Sequence, residues 1–256
     1  MRKFATGLLA LTALALFAIP ASATVLLSEG FPYADGTGLL TVGWVATGTN
    51  TGVDITVTSG RAIGDCANAP DDNKAFATQG TTAPTYVCFE VMIPDPGSSP
   101  KTVYFAHLSD GGSSNFFARV YVTPAGNTFT FAVSYSSTST SVGIVPWGPA
   151  LSYGVSYRVV VKYDPVAKSA TLWVNPTSEA DPSVSQTGTT TAVAMSAFCL
   201  RQSSTQSTLP SPAPTGTANF KFSVDNVGVG TTFNDACYQI TPTRNSTWGQ
   251  VKVLYR

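Results

Sequence analysis

Between Asn115 and Tyr135, apolar and polar side chains alternate with a period of two, and the alternation is interrupted once. Before the interruption Phe117, Arg119, Tyr121 and Thr123 share one parity, and Phe116, Ala118, Val120 and Val122 share the other. After Pro124 to Asn127 the alternation resumes, with Phe129, Phe131, Val133 and Tyr135 set against Thr128, Thr130, Ala132 and Ser134. Two alternating segments around a Pro/Gly/Asn turn predict a β-hairpin. Neither strand can bury its apolar face alone, so a second sheet is expected to lie across it.

The same pattern recurs along the chain. Val25–Phe31, Val53–Val57, Lys74–Thr78, Tyr86–Ile93 and Thr102–Leu108 are predicted strands. Tyr157–Tyr163 and Ala170–Val174 form a second hairpin around Asp164–Lys168, and Ala194–Arg201 and Phe220–Val229 are the last two strands. Arg61–Asn73 reads as a loop by composition, and Ser203–Gly216, rich in Ser, Thr and Pro, as a surface loop. This is about a dozen strands at the ~8–12-residue spacing of sandwiches, with no helical period before the tail. Alternation, in place of continuous apolar runs, argues for antiparallel sheets. The expected architecture is all-β: an antiparallel two-sheet jelly-roll sandwich over residues 24–236, with a short C-terminal tail at 237–256.

Composition narrows the setting. Hydrophobic residues make up 43% of the chain and charged residues 11%, so polarity comes from Ser, Thr, Asn and Gly, a profile common in secreted β proteins. Acidic and basic residues balance at 14 each and no basic stripe appears, which argues against a nucleic-acid partner. Arg2 and Lys3, the apolar run Phe4 to Ile19 and the Ala21-Ser22-Ala23 site predict a signal peptide over residues 1–23. No other long apolar segment follows, so the mature chain is expected to be exported, secreted or at the cell surface, without a membrane span.

Four cysteines in an exported chain predict two disulfides among Cys66, Cys88, Cys199 and Cys237. Three connectivities are possible, and sequence proximity favours Cys66–Cys88 with Cys199–Cys237. In the tail, Ser246 or Thr247 could cap a short helix in which Trp248, Val251, Leu254 and Tyr255 share a face, though Gly249 weakens it. Residues 241–256 also resemble short tails on exported bacterial proteins, which implies a sorting or docking segment; packing on the sandwich is the competing role.

Six segments together resemble the concanavalin A-like, laminin-G-like jelly rolls of secreted bacterial proteins. They are Leu26–Tyr33, Phe105–Asp110, Phe116–Val122, Arg158–Asp164, Leu172–Pro176 and Val224–Thr232, and they run in the family's order over residues 26–233. The resemblance implies two large sheets and an extracellular setting, but little about ligand, because the fold carries lectins, adhesive modules, glycosidases and lyases alike. It also implies a structural calcium at Asp225 of the final strand, with Glu29 of the first strand as a neighbouring ligand. Asp71, Asp72 and Asn73 make a weaker cation candidate, better explained as a polar loop.

Candidate chemistry is sparse. The glycosidase-like pattern Glu-x-Asp-x-x-Glu is absent, and Glu29, Glu90 and Glu179 are the only glutamates. His107, the single histidine, shares its parity with Val103 and Phe105 and so is expected to point inward. Its functional alternative is a polar contact beside Arg119 and Tyr121, since aromatic and planar polar groups suit a sugar's apolar ring face and directed hydroxyls. The expected function is a non-catalytic module that binds carbohydrate or another surface component. A structural surface protein without a ligand and a polysaccharide-cleaving glycosidase or lyase remain alternatives.

Overall fold

The alternating segments become strands, and each pairs antiparallel with its neighbours in a computed structural model that describes residues 24–48, 52–66, 71–97, 102–135, 143–202 and 220–238. The predicted signal peptide, and the tail from residue 239 onward, lie outside the described residues. The first eight strands are β1 (Val25–Glu29), β2 (Val45–Thr47), β3 (Thr56–Thr58), β4 (Arg61–Asp65), β5 (Asp71–Gln79), β6 (Thr85–Met92), β7 (Val103–Ser109) and β8 (Phe116–Ala125). There follow β9 (Thr128–Ser134), β10 (Val145–Pro146), β11 (Leu151–Ser152), β12 (Ser156–Asp164), β13 (Ser169–Val174), β14 (Val184–Thr187), β15 (Met195–Leu200) and β16 (Lys221–Gly230). One short helix, α1 (Phe233–Tyr238), comes after the last strand.

Two sheets of eight strands result. The first runs β14-β13-β12-β6-β16-β4-β3, with β1 paired to the far half of β16. The second runs β10-β9-β8-β7-β15-β5-β2, with β11 beside β9. Both predicted hairpins form. Gly126, with φ 65°, leads the tight β8–β9 turn in a conformation that costs glycine little, and the Asp164 carboxylate accepts the Val166 and Ala167 N–H groups in the β12–β13 turn.

The sheets share one core. Phe89 of the first sheet meets Phe105 and Phe198 of the second at 6.1 and 5.7 Å between ring centroids, and Phe222 meets Phe105 at 5.5 Å. Phe129, Phe131, Val133 and Tyr135 all face this core, as their shared parity predicts. Each such side chain removed from water contributes about 1.5–3 kcal/mol, so the facing layers are the main source of stability.

The stretch Arg61–Asn73 is not one loop. It holds β4 and the start of β5, because β16 and β3 supply β4 with ladder partners on both sides. Its small residues fit that place: the Phe222 ring lies directly over Gly64 and leaves no room for a Cβ.

Candidate functional site

The sequence-predicted trio of His107, Arg119 and Tyr121 comes together on the outer face of the second sheet, through two departures from strict alternation. In β7 the register with β8 shifts around Ala106, and Phe105 and Ala106 both enter the core. The next residue, His107, therefore turns outward, against the expectation that it would follow Val103 and Phe105 inward. In β8 Ala118 takes φ 49°, and Phe117 and Ala118 both face the core. This bulge separates Phe117 from Arg119 and Tyr121, which a strict period of two would have placed on one face.

Tyr104 is the centre of the cluster. The guanidinium groups of Arg119 and Arg201 lie 4.7 and 4.1 Å from its ring centroid, and the Tyr121 and His107 rings meet it edge-on at 5.6 and 5.7 Å. His107 also packs on Phe116 at 4.3 Å. Arg201 is held 3.6 Å from the Asp71 carboxylate, and the Tyr121 hydroxyl lies 3.3 Å from Ser134 Oγ. Ile144 packs against Tyr104, Tyr121 and Ala132 from outside. Cation–π pairs of this kind contribute about 0.5–2 kcal/mol each and fix the planes of the guanidinium groups.

His107 is 1% exposed, and among the described residues neither ring nitrogen has a hydrogen-bond partner. Burial, then the positive charges of Arg119 and Arg201, hold its pKa well below the usual histidine range. The imidazole is therefore neutral at pH 7, with one nitrogen able to donate and one able to accept. Burial likewise raises the Tyr104 hydroxyl, while Arg201 and Arg119 pull it back. Phe116 and Arg119 remain partly exposed above the imidazole. Sequence reasoning missed Tyr104, Phe116 and Arg201.

The calcium pair is not brought together. Glu29 sits opposite Val227, a core residue, and so faces inward; Asp225 lies between the core residues Val224 and Val227, on the outer face with Arg61. The Glu29 carboxylate accepts the Phe31 N–H at 2.9 Å and the Tyr33 hydroxyl at 3.1 Å, with Lys74 Nζ at 3.6 Å. Asp225 accepts the Asn226 N–H and pairs with Arg61 at 3.5 Å. These residues do not fit a shared calcium, which needs six to eight oxygens converging on one point. Among the described residues, no cluster of three or more His, Cys, Asp or Glu could hold a metal. Asp71, Asp72 and Asn73 open β5 instead of forming a loop, and Asn73 donates to the Val45 carbonyl and Thr47 Oγ1.

The cysteines are not arranged for the pairing that sequence proximity favours. The structure holds all four as unlinked thiols. Cys66 lies in the core between the sheets, and Cys88 on the outer face of the first sheet with Val160 and Trp173. Cys199 is the register partner of His107 on the outer face of the second sheet, whereas Cys237 packs outside the first. A sheet therefore separates the members of each sequence-favoured pair.

A second polar site lies on the outer face of the first sheet, where sequence gave no local signal. Glu90 of β6 stands in register between Asp225 of β16 and Arg158 of β12. A cavity of about 300 Å³ is lined there by Glu90, Ser156, Arg158, Asn175, Pro176 and Thr177. Asp225 is raised above the usual carboxylate range by burial, with Asn226 and Arg61 opposing and Glu90 adding to the rise.

No protein-family model and no curated protein matches the chain. Solved structures do. A sialidase is similar over 84% of this chain and 19% of its own, with TM-score 0.54 and 12% identity. The CBM2 module of the Lactobacillus casei BL23 phage J-1 evolved Dit is similar over 82% and 96%, with TM-score 0.50 and 9% identity. An endo-β-1,4-glucuronan lyase from the fungus Trichoderma reesei is similar over 82% and 96%, with TM-score 0.44 and 13% identity. The chain thus spans about a fifth of the sialidase's length. At these identities what is shared is the fold, and the chain is an antiparallel two-sheet jelly-roll sandwich.

Proposed function

We propose that the protein is an exported, non-catalytic carbohydrate-binding module of concanavalin A-like type, holding a glycan on the outer face of its second sheet. The observation that carries this reading is the buried His107, whose two nitrogens lack partners among the described residues, beneath the partly exposed Phe116 and Arg119. A buried polar group left unsatisfied costs about 1–3 kcal/mol, a penalty that a bound hydroxyl or an ordered water beneath it would relieve. Arg119 offers planar donors to sugar hydroxyls or a carboxylate, and Phe116 an apolar surface for a ring face. Export rests on the reading of residues 1–23. The fold likeness to a CBM2 module supports the scaffold alone.

The test is a glycan array followed by calorimetric titration with neutral and uronic-acid oligosaccharides. Arg119→Ala is expected to weaken binding tenfold or more, while Lys221→Ala, at the exposed start of β16 in the other sheet, leaves it unchanged. No glycan bound by the wild type, or binding indifferent to Arg119→Ala, overturns the reading.

A second reading is favoured by the register of Glu90 with Asp225. Glycoside hydrolysis divides acid and base or nucleophile roles between two carboxyls, and Asp225 is pushed toward its protonated form beside a second carboxylate. On this reading polysaccharide incubation releases new reducing ends and Glu90→Gln abolishes them. Absence of any release in the wild type removes it.

A further inference from the structure

Cys88 is 1% exposed on the outer face of β6, beneath α1. The helix is seated there by its apolar side: Phe233 lies 6.5 Å from Tyr86 and 5.8 Å from Trp173, and Ala236 is fully buried in the same cluster as Cys88 and Val160. Cys237, the next residue, packs onto that cluster beside Cys88. The proximity of Cys237, and then burial, push the Cys88 thiol well above its ordinary value. The two sulfurs differ in access. Cys237 is partly exposed and lines a cavity of about 200 Å³ with Arg158, Pro176, Thr177 and Phe233.

We propose that Cys88 and Cys237 form a disulfide that staples α1 to β6. The more accessible Cys237, as its thiolate, attacks a disulfide-bearing oxidant and expels one thiolate, leaving a mixed disulfide. The Cys88 thiolate then attacks the Cys237 sulfur and expels the second thiolate. Two cysteine protons are released, and two electrons reduce the oxidant's disulfide to two thiols. Cys66, in the core, and Cys199, on the far sheet, have no part in it. The bond fixes the point from which the chain continues beyond residue 238, and it closes a long loop through most of both sheets.

The test uses the full chain equilibrated with oxidised glutathione, digested without reduction and mapped by mass spectrometry. A peptide linking Cys88 to Cys237 is expected, with Cys66 and Cys199 alkylated only after denaturation. Reductant should then lower the melting temperature by on the order of 10 °C in the wild type and leave Cys237→Ala unmoved. Mapping on the wild type does not depend on how the variant folds. A link to Cys66 or Cys199, or four alkylatable thiols after oxidation, overturns the proposal.

Discussion

Asp72 is fully buried, and its register partner on β15 is Leu200, a core residue, so its carboxyl is turned toward the apolar layer. Burial, and next the neighbouring Asp54 carboxyl, push its pKa up to about 8. In the unfolded chain the same carboxyl ionises near 3.9. A pKa raised by folding means the folded state retains a proton the unfolded state gives up, so this group favours folding most below pH 4. That contribution is lost as pH rises toward 8. Asp72→Asn removes the titration and offers an amide donor to Asp54. The variant is expected to melt above the wild type at pH 7 and to gain little at pH 4, with a gain of a few kcal/mol at most, since each pH unit is worth about 1.4 kcal/mol. Thermal melts of both proteins across that range check the sign, and a gain that shrinks as pH rises contradicts it.

The strand β8 works only because it is irregular. Ala118 at φ 49° re-aims the chain so that Phe117 fills the core while Arg119 and Tyr121 reach the outer face beside Tyr104. A β-branched residue there meets its own backbone, at a cost of about 1–3 kcal/mol, and adds volume to a packed layer. Ala118→Val is therefore expected to lower the urea midpoint and, by disturbing the bulge, to weaken glycan binding with it. Unchanged stability and binding would mean that the bulge is not required. The same bulge explains how much could be read in advance. The hairpins, β6 and β16 were legible because alternation and turn residues are local. The facing of His107 and Phe117 was not, since a bulge depends on the partner strand's register and has no signature in one segment. Tyr104 and Arg201 meet only because β7 and β15 pair across a long stretch of chain. The six residues of α1 are too few to show a helical period, and β14 is a short edge strand within a Ser- and Pro-containing stretch.

At the scale of the whole molecule, the question is whether two sheets of eight strands behave as one body. The two sheets are interleaved along the chain: β6 of the first sheet separates β5 from β7 of the second, and β12, β13 and β14 separate β7 from β15, so neither sheet is a contiguous piece of chain. Phe105 is where they meet, touching Phe89 and Phe222 of the opposite sheet and Phe131 of its own. Truncating it removes the transfer energy of the ring and leaves a cavity that three other rings cannot collapse into, so Phe105→Ala should cost about 3–5 kcal/mol. Because both sheets lose the same contact, the loss should appear as one shifted cooperative transition, seen alike by tryptophan fluorescence and far-ultraviolet circular dichroism. Trp44 lies in the shared core and Trp173 on the outer face of the first sheet, so layers that came apart separately would expose the two at different points of the transition. Non-coincident transitions in the variant would show that the layers are held by something other than their common interior, and the packing argument for the site above it would fail with that result.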